Sequence, residues 1–150
     1  MAAMTPARRI LAPVDFSPRS HRQLRYAATL ASGTGGDVEV LHVVPGPAAL
    51  PADDPKWEKL AATTLKQMIA RAGLPAMTRA HVLRGAVAHE VLRFACANGF
   101  DLVVLSGRAR PGWNGSLLGD TAEAIARHAA VPVLIVPAAK PGRAGRKAVS

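Results

Sequence analysis

Two rhythms of apolar residues alternate along the chain. Short apolar runs with little polar interruption occur at Arg9 to Val14 (RILAPV), Asp37 to Val44 (DVEVLHVV), Asp101 to Ser106 (DLVVLS) and Val131 to Pro137 (VPVLIVP). A weaker run, MTRAHVLR, covers Met77 to Arg84. Such runs predict strands covered on both faces. Between them apolar side chains recur at helical spacing. Leu24, Ala27, Ala28 and Ala31 mark the first inward face, and Trp57, Leu60, Ala61, Leu65, Met68 and Ala72 the second. Val87, Val91, Phe94 and Ala95 mark a third helix, running to about Asn98. The fourth opens at Asp120 and ends near Arg127 and His128, cations that suit a helix C-terminus.

The punctuation agrees with these elements. Ser17 reads as an N-cap with Pro18 at the first helical position. Gly33, Gly73 and Gly99 read as stops, with Gly35, Gly36 and Pro75 close behind. Asp120 and Glu123 have capping-box spacing. Gly85 is a turn, and Pro45 to Pro55, with four prolines, is an irregular loop. Five strands thus alternate with four helices. Right-handed crossovers are the common way to join such units, so the expected fold is α/β, a doubly wound, open, mostly parallel five-stranded sheet.

At 150 residues the chain is about one domain. A chain of this length buries roughly two-thirds of its unfolded surface and needs no metal or disulfide staple. We assign residues 1–137 to the domain and 138–150 to a basic, flexible C-terminal tail carrying Lys140, Arg143, Arg146 and Lys147. Hydrophobic residues make up 49% and aromatic ones 4%, so the core is built from Val, Leu, Ile and Ala. The net charge of +9 falls mostly at the ends, without interleaved aromatics for base stacking. Nucleic-acid binding is therefore not expected. No run of about 18 apolar residues and no signal-peptide pattern occur, so a cytoplasmic, membrane-free protein is expected. The single cysteine, Cys96, reads as a small buried side chain.

Several chemistries are disfavoured by pattern. The first turn, APVDFSP, has no glycine and cannot be a dinucleotide turn; a Walker-type loop is absent too. His21, His42, His81, His89 and His128 lack metal-ligand spacing. No G-x-S-x-G surrounds a serine, and Ser116 reads as a loop hydrogen-bonder, so no enzymatic activity is expected. In doubly wound sheets the ligand sits beyond the strand C-termini. That singles out Pro13 and Asp15 after the first strand, Val43 and Val44 in the second, Gly85 after the third and Ser106 to Ala109 after the fourth.

Two segments, ILAPVDFSPRSHRQLRYA and DLVVLSGRARPGWNGSLLGDTAEAIARHAAVPVLIV, resemble the universal stress protein family, with matching element order over residues 8–137. The P-x-D-F-S strand end, LHVV, the glycine after the third strand and LLG-x-x-A-E before VPVLIV carry the likeness. The resemblance implies an adenine-nucleotide-hydrolase-like sheet of strand order 3-2-1-4-5, with Asp15 opposite Ser106. It also implies a homodimer through the Val131 to Val136 edge strand, with a protein partner as a further expectation. Many members bind ATP through G-x-x-G-x(9)-G-[ST]. On this chain those positions are Ser106, Ala109, Gly119 and Asp120. Spacing is kept, but Ser106 and Ala109 each add a Cβ and Asp120 brings a carboxylate to the phosphate end of a helix. A non-enzymatic stress-response domain with a degenerate ATP loop is therefore expected, its cofactor none or weakly held ATP or AMP, with Asp120 standing in for the phosphate.

The alternative is a nucleotide sensor in which Arg108 and Arg110 hold the phosphates. Pro13, Asp15 and Val43 match the adenosine-contacting positions of the family. Trp113, in PGWNG, either plugs the site or contacts a partner, or else folds back on its own domain.

Overall fold

The computed structural model describes residues 7–47, 56–108 and 118–138. The elements are β1 (Arg9–Pro13), α1 (Arg19–Thr34), β2 (Asp37–Pro45), α2 (Lys56–Arg71), β3 (Ala80–Gly85), α3 (Val87–Ala97), β4 (Leu102–Ser106), α4 (Asp120–His128) and β5 (Val133–Val136). All pairings are parallel, in the order β3-β2-β1-β4-β5, with registers such as Leu11↔Glu39, Leu41↔His81 and Val104↔Leu134. The expected fold and strand order are therefore present, and β3 and β5 are the edges. The basic tail lies outside the described residues, apart from Ala138.

Two cores flank the sheet. On one face Ile10, Ala12, Val40 and Val104 pack against Leu24, Ala27 and Ala31 of α1 and Leu65 and Ile69 of α2. On the other, Leu11, Leu41, Val43, Val103 and Leu105 pack against Val91 and Ala95 of α3 and Ile125 of α4. Alternate residues of one strand enter opposite cores, as a pleated strand covered on both sides requires.

Several local expectations are corrected. The helix α1 starts at Arg19 with Pro18 as N-cap; among the described residues no side chain caps it and the buried Ser17 hydroxyl has no partner. It runs past Gly33 to Gly35, whose φ of 69° closes it in the left-handed conformation. Leu60 is 69% exposed, because the inward stripe of α2 falls on Ala61, Leu65 and Ile69. Cys96 is exposed, one position past the buried Ala95 and outside the stripe it forms with Val91. In α4 the N-cap is Gly119, so Asp120 is the first helical residue, and Glu123 pairs with Arg127 at 2.7 Å instead of closing a capping box. A one-residue shift of the helix start moves both carboxylates out of box geometry.

Candidate functional site

A missing hydrogen bond opens the crevice. The β1–β4 register runs Ile10↔Leu102 and Leu11↔Val103 and then stops. Its continuation needs an N–H from residue 13, and Pro13 has none. Beyond that point each strand stays with its outer neighbour: Val14 N–H donates to Leu41 O at 2.8 Å, and Gly107 N–H to Val136 O at 2.8 Å. The split carbonyls are bridged from α1. Gln23, fully buried, donates through Nε2 to Pro13 O at 2.6 Å and to Val104 O at 2.7 Å.

Beyond this split lies a cavity of about 280 Å³. Leu41, Val43, Val87, Val91, Leu105 and Ile125 make its apolar wall. Pro13, Asp15, Arg19, Ser106, Arg108, Gly119 and Asp120 also line it, from β1, α1, the end of β4 and the head of α4. Seven of the nine residues singled out from the sequence, namely Pro13, Asp15, Val43, Ser106, Arg108, Gly119 and Asp120, thus meet at one cavity. Ala109 and Arg110 lie outside the described residues, as do Trp113 and Ser116.

The turn between β1 and α1 is built around Asp15. Its Oδ1 accepts from Ser17 N–H at 3.0 Å and Ser20 Oγ at 3.1 Å, and its Oδ2 lies 3.6 Å from Arg19 Nη2. Partial burial would raise the pKa of this carboxyl, but the bonds from Ser17 and Ser20 and the Arg19 charge together hold it below the usual carboxylate value. Asp15 is therefore anionic at neutral pH, with Oδ2 free of hydrogen bonds among the described residues. Next to it Phe16 has φ 64°, the only positive φ at a non-glycine among the described residues. Its ring stacks on His42 at 3.8 Å between centroids, and His42 Nδ1–H donates to Val14 O at 2.8 Å.

At the other wall, the Arg108 guanidinium lies over Gly119. A Cβ there would come 3.3 Å from both Nε and Nη2. Gly119 itself has φ −73° and ψ 170°, an extended conformation open to any residue, so its use here is close approach and not backbone freedom. Ser106 likewise is not among the positive-φ residues, so its Cβ brings no backbone strain. Asp120 is exposed and no side chain caps α4. The expected substitution of its carboxylate for a phosphate at the helix amides is thus not seen: the first-turn amides carry no side-chain acceptor among the described residues. Two functional candidates were missed in the sequence, Arg19 and Gln23. The signal for Gln23 was its place with Ser20, Leu24, Ala27 and Ala31 on one helical stripe, all of them buried.

A doubly wound α/β domain with an apolar cavity at the switch point, walled by arginines and a helix N-terminus, belongs to the nucleotide-binding type of fold. Similarity to known proteins makes this specific. The universal stress protein family profile matches residues 6–137, and the chain belongs to that family. It is 34% identical over 139 residues to universal stress protein G of Shigella flexneri, covering 85% of this chain and 96% of the relative. It is 31% identical over 137 residues to universal stress protein A homolog 1 of Coxiella burnetii, covering 85% and 94%. A universal stress protein solved in complex with cAMP superposes with TM-score 0.71 at 20% identity, covering 89% of this chain and 99% of that one. One from Archaeoglobus fulgidus in complex with dAMP gives 0.61 at 21%, covering 88% and 98%. Among the described residues no helix is long and apolar enough to cross a membrane.

Proposed function

We propose that the chain is a non-enzymatic, cytoplasmic stress-response domain whose triphosphate site is degenerate and whose cavity accepts an adenine nucleoside bearing at most one phosphate. The observation that carries this reading is the make-up of the cavity. Its apolar wall suits a purine, Asp15 Oδ2 suits a ribose hydroxyl, and the Arg108 guanidinium over Gly119 at the head of α4 suits a first phosphate. Asp120, at the first position of the same helix, repels the further charges of a triphosphate. The two structural relatives solved with cAMP and dAMP hold ligands of the same size class. A volume of about 280 Å³ is at the lower limit of small-molecule sites, which run from about 300 Å³.

The non-enzymatic part rests on Asp15. A carboxylate held below its usual pKa is a poor general base near neutrality, where proton transfer favours a pKa close to the working pH. The chain acts as a homodimer through β5, an edge strand paired on one side only, whose Val133, Leu134 and Ile135 are half-buried and would be covered by a twofold mate. Its output is contact with a partner protein.

The second reading, an ATP sensor with Arg108 and Arg110 on the phosphates, is favoured by the open first-turn amides of α4. Thermal-shift titration separates the two. AMP and cAMP at 100 times their dissociation constant should stabilise the fold by about 2.7 kcal/mol, several degrees for this length, with little shift from Mg-ATP. A larger shift with Mg-ATP than with AMP would establish the sensor instead. No shift with any adenine compound would dismiss the cavity as a nucleotide site.

A further inference from the structure

We infer that Arg19, the first residue of α1, is a specificity-determining residue of the cavity, closing on one terminal phosphate from the side opposite Arg108. This rests on the reading of the cavity as an adenine-nucleotide site, and names what selects the nucleotide over the bare nucleoside. Arg19 lines the cavity from α1, whereas Arg108 enters it from the end of β4. The Arg19 Nη2 to Asp15 Oδ2 distance of 3.6 Å exceeds hydrogen-bond length, and among the described residues neither guanidinium donates a hydrogen bond to any acceptor. Two planar, permanently charged forks therefore face one cavity without a hydrogen bond to any described residue, a demand that a tetrahedral dianion answers from both sides.

The order of groups along the chain fits such a ligand. Asp15 and Arg19 are four residues apart and present, within one turn, an acceptor for a ribose hydroxyl and a donor set for the phosphate attached to that ribose. Asp15 holds Arg19 only by a 3.6 Å ion pair through Oδ2, its Oδ1 being engaged by Ser17 and Ser20, so the guanidinium keeps its hydrogen-bond donors for a ligand. With Asp120 also on the lining, the described residues of the cavity wall hold two cations and two carboxylates. One phosphate fits that balance between the arginines; a chain of three meets a carboxylate.

The test is calorimetric titration of the full chain with AMP, adenosine and Mg-ATP, for the wild type, Arg19→Gln and Arg19→Lys, with unliganded melts as a control for folding. The wild type should bind AMP at least tenfold more tightly than adenosine. Arg19→Gln should lose about tenfold for AMP and nothing for adenosine, and Arg19→Lys should recover only part of the loss, having the charge without the fork. Raising salt should weaken AMP binding to the wild type and leave adenosine unchanged. An Arg19→Gln variant that keeps the wild-type AMP-to-adenosine ratio overturns the role of Arg19 while leaving the cavity reading intact. Wild-type AMP affinity that is indifferent to salt overturns that role as well, without any variant. A wild type that binds neither compound removes the cavity reading and this inference together.

Discussion

Gln23 is the side chain on which the split between β1 and β4 rests, and its replacement by Met is the sharpest test of the fold's central feature. Methionine keeps the length and the apolar stem but removes both donors, leaving Val104 O unpaired in the buried interior and Pro13 O unpaired beside the cavity. Each orphaned acceptor costs about 1–3 kcal/mol. Against this, the native Gln23 Oε1 is itself buried without a partner, and its removal returns about 1 kcal/mol or more. The net expectation is a loss of about 2 kcal/mol, or about 4–8 °C in Tm at 2–4 °C per kcal/mol. Gln23→Glu separates hydrogen bonding from packing. It is isosteric, yet as a carboxylate it turns negative charge onto two carbonyl oxygens. The folded state therefore raises its pKa, and the deficit should be greatest near pH 7 and shrink as pH falls, when protonation restores one donor. Circular-dichroism melts at pH 7 and pH 5 measure both variants. A Met variant melting at or above the wild type, or a Glu variant whose deficit ignores pH, would refute the argument that these two bonds hold the crevice.

Two further outcomes are expected. Asp120→Ser should gain affinity for Mg-ATP: like charges about 4 Å apart repel by about 1 kcal/mol in water and about 4 kcal/mol at an effective dielectric of 20. Because Asp120 is exposed, the lower end applies, about fivefold in Kd, and a calorimetric titration in which the variant gains nothing would show that the carboxylate is not what excludes the triphosphate. Glu39 spans three strands, accepting from Arg9 Nη2 at 2.8 Å and meeting His81 Nε2 at 2.9 Å. Burial would raise its pKa, but the bonds and charges of Arg9 and His81 outweigh that and hold it below its usual 4.5. Its contribution is thus present above the unfolded pKa and lost as pH falls through the lower folded value. The gap in urea midpoint between wild type and Glu39→Gln should be wide at pH 7 and narrow at pH 3; a gap that widens in acid would reverse the assignment.

Element types were legible because each strand is covered on both faces and each helix on one, so burial writes itself into the two periods of the chain; strand order was legible only through the family resemblance, because periodicity does not say which strands are neighbours. The departures lie at helix ends. Ser17 and Asp120 are good capping residues by type, but which residue becomes the cap is decided by the backbone conformation just before the helix. Here α1 starts at Arg19 with Pro18 as cap, and α4 at Asp120 behind an extended Gly119. Cys96 and Leu60 fell beside the inward stripe by a single position, about 100° of helix rotation, which periodicity in a short helix does not resolve.

For the site the division is similar. Pro13, Asp15, Val43, Ser106 and Arg108 could be picked out in advance because strand ends next to a switch point are countable along the chain, and Gly119 and Asp120 because the resemblance to the family's phosphate loop marked their positions. By itself the sequence determined which strand ends come to the crevice: strand lengths, turn positions and the alternation of side chains are local properties. Only the tertiary structure decided what those residues do to one another there. That Pro13 ends a ladder whose next carbonyl Gln23 must satisfy, that Arg19 pairs with Asp15 at 3.6 Å without a hydrogen bond, and that Arg108 rests on Gly119 all depend on how separate segments are brought together. Such distances follow from how helices settle on the sheet, and no local pattern encodes them.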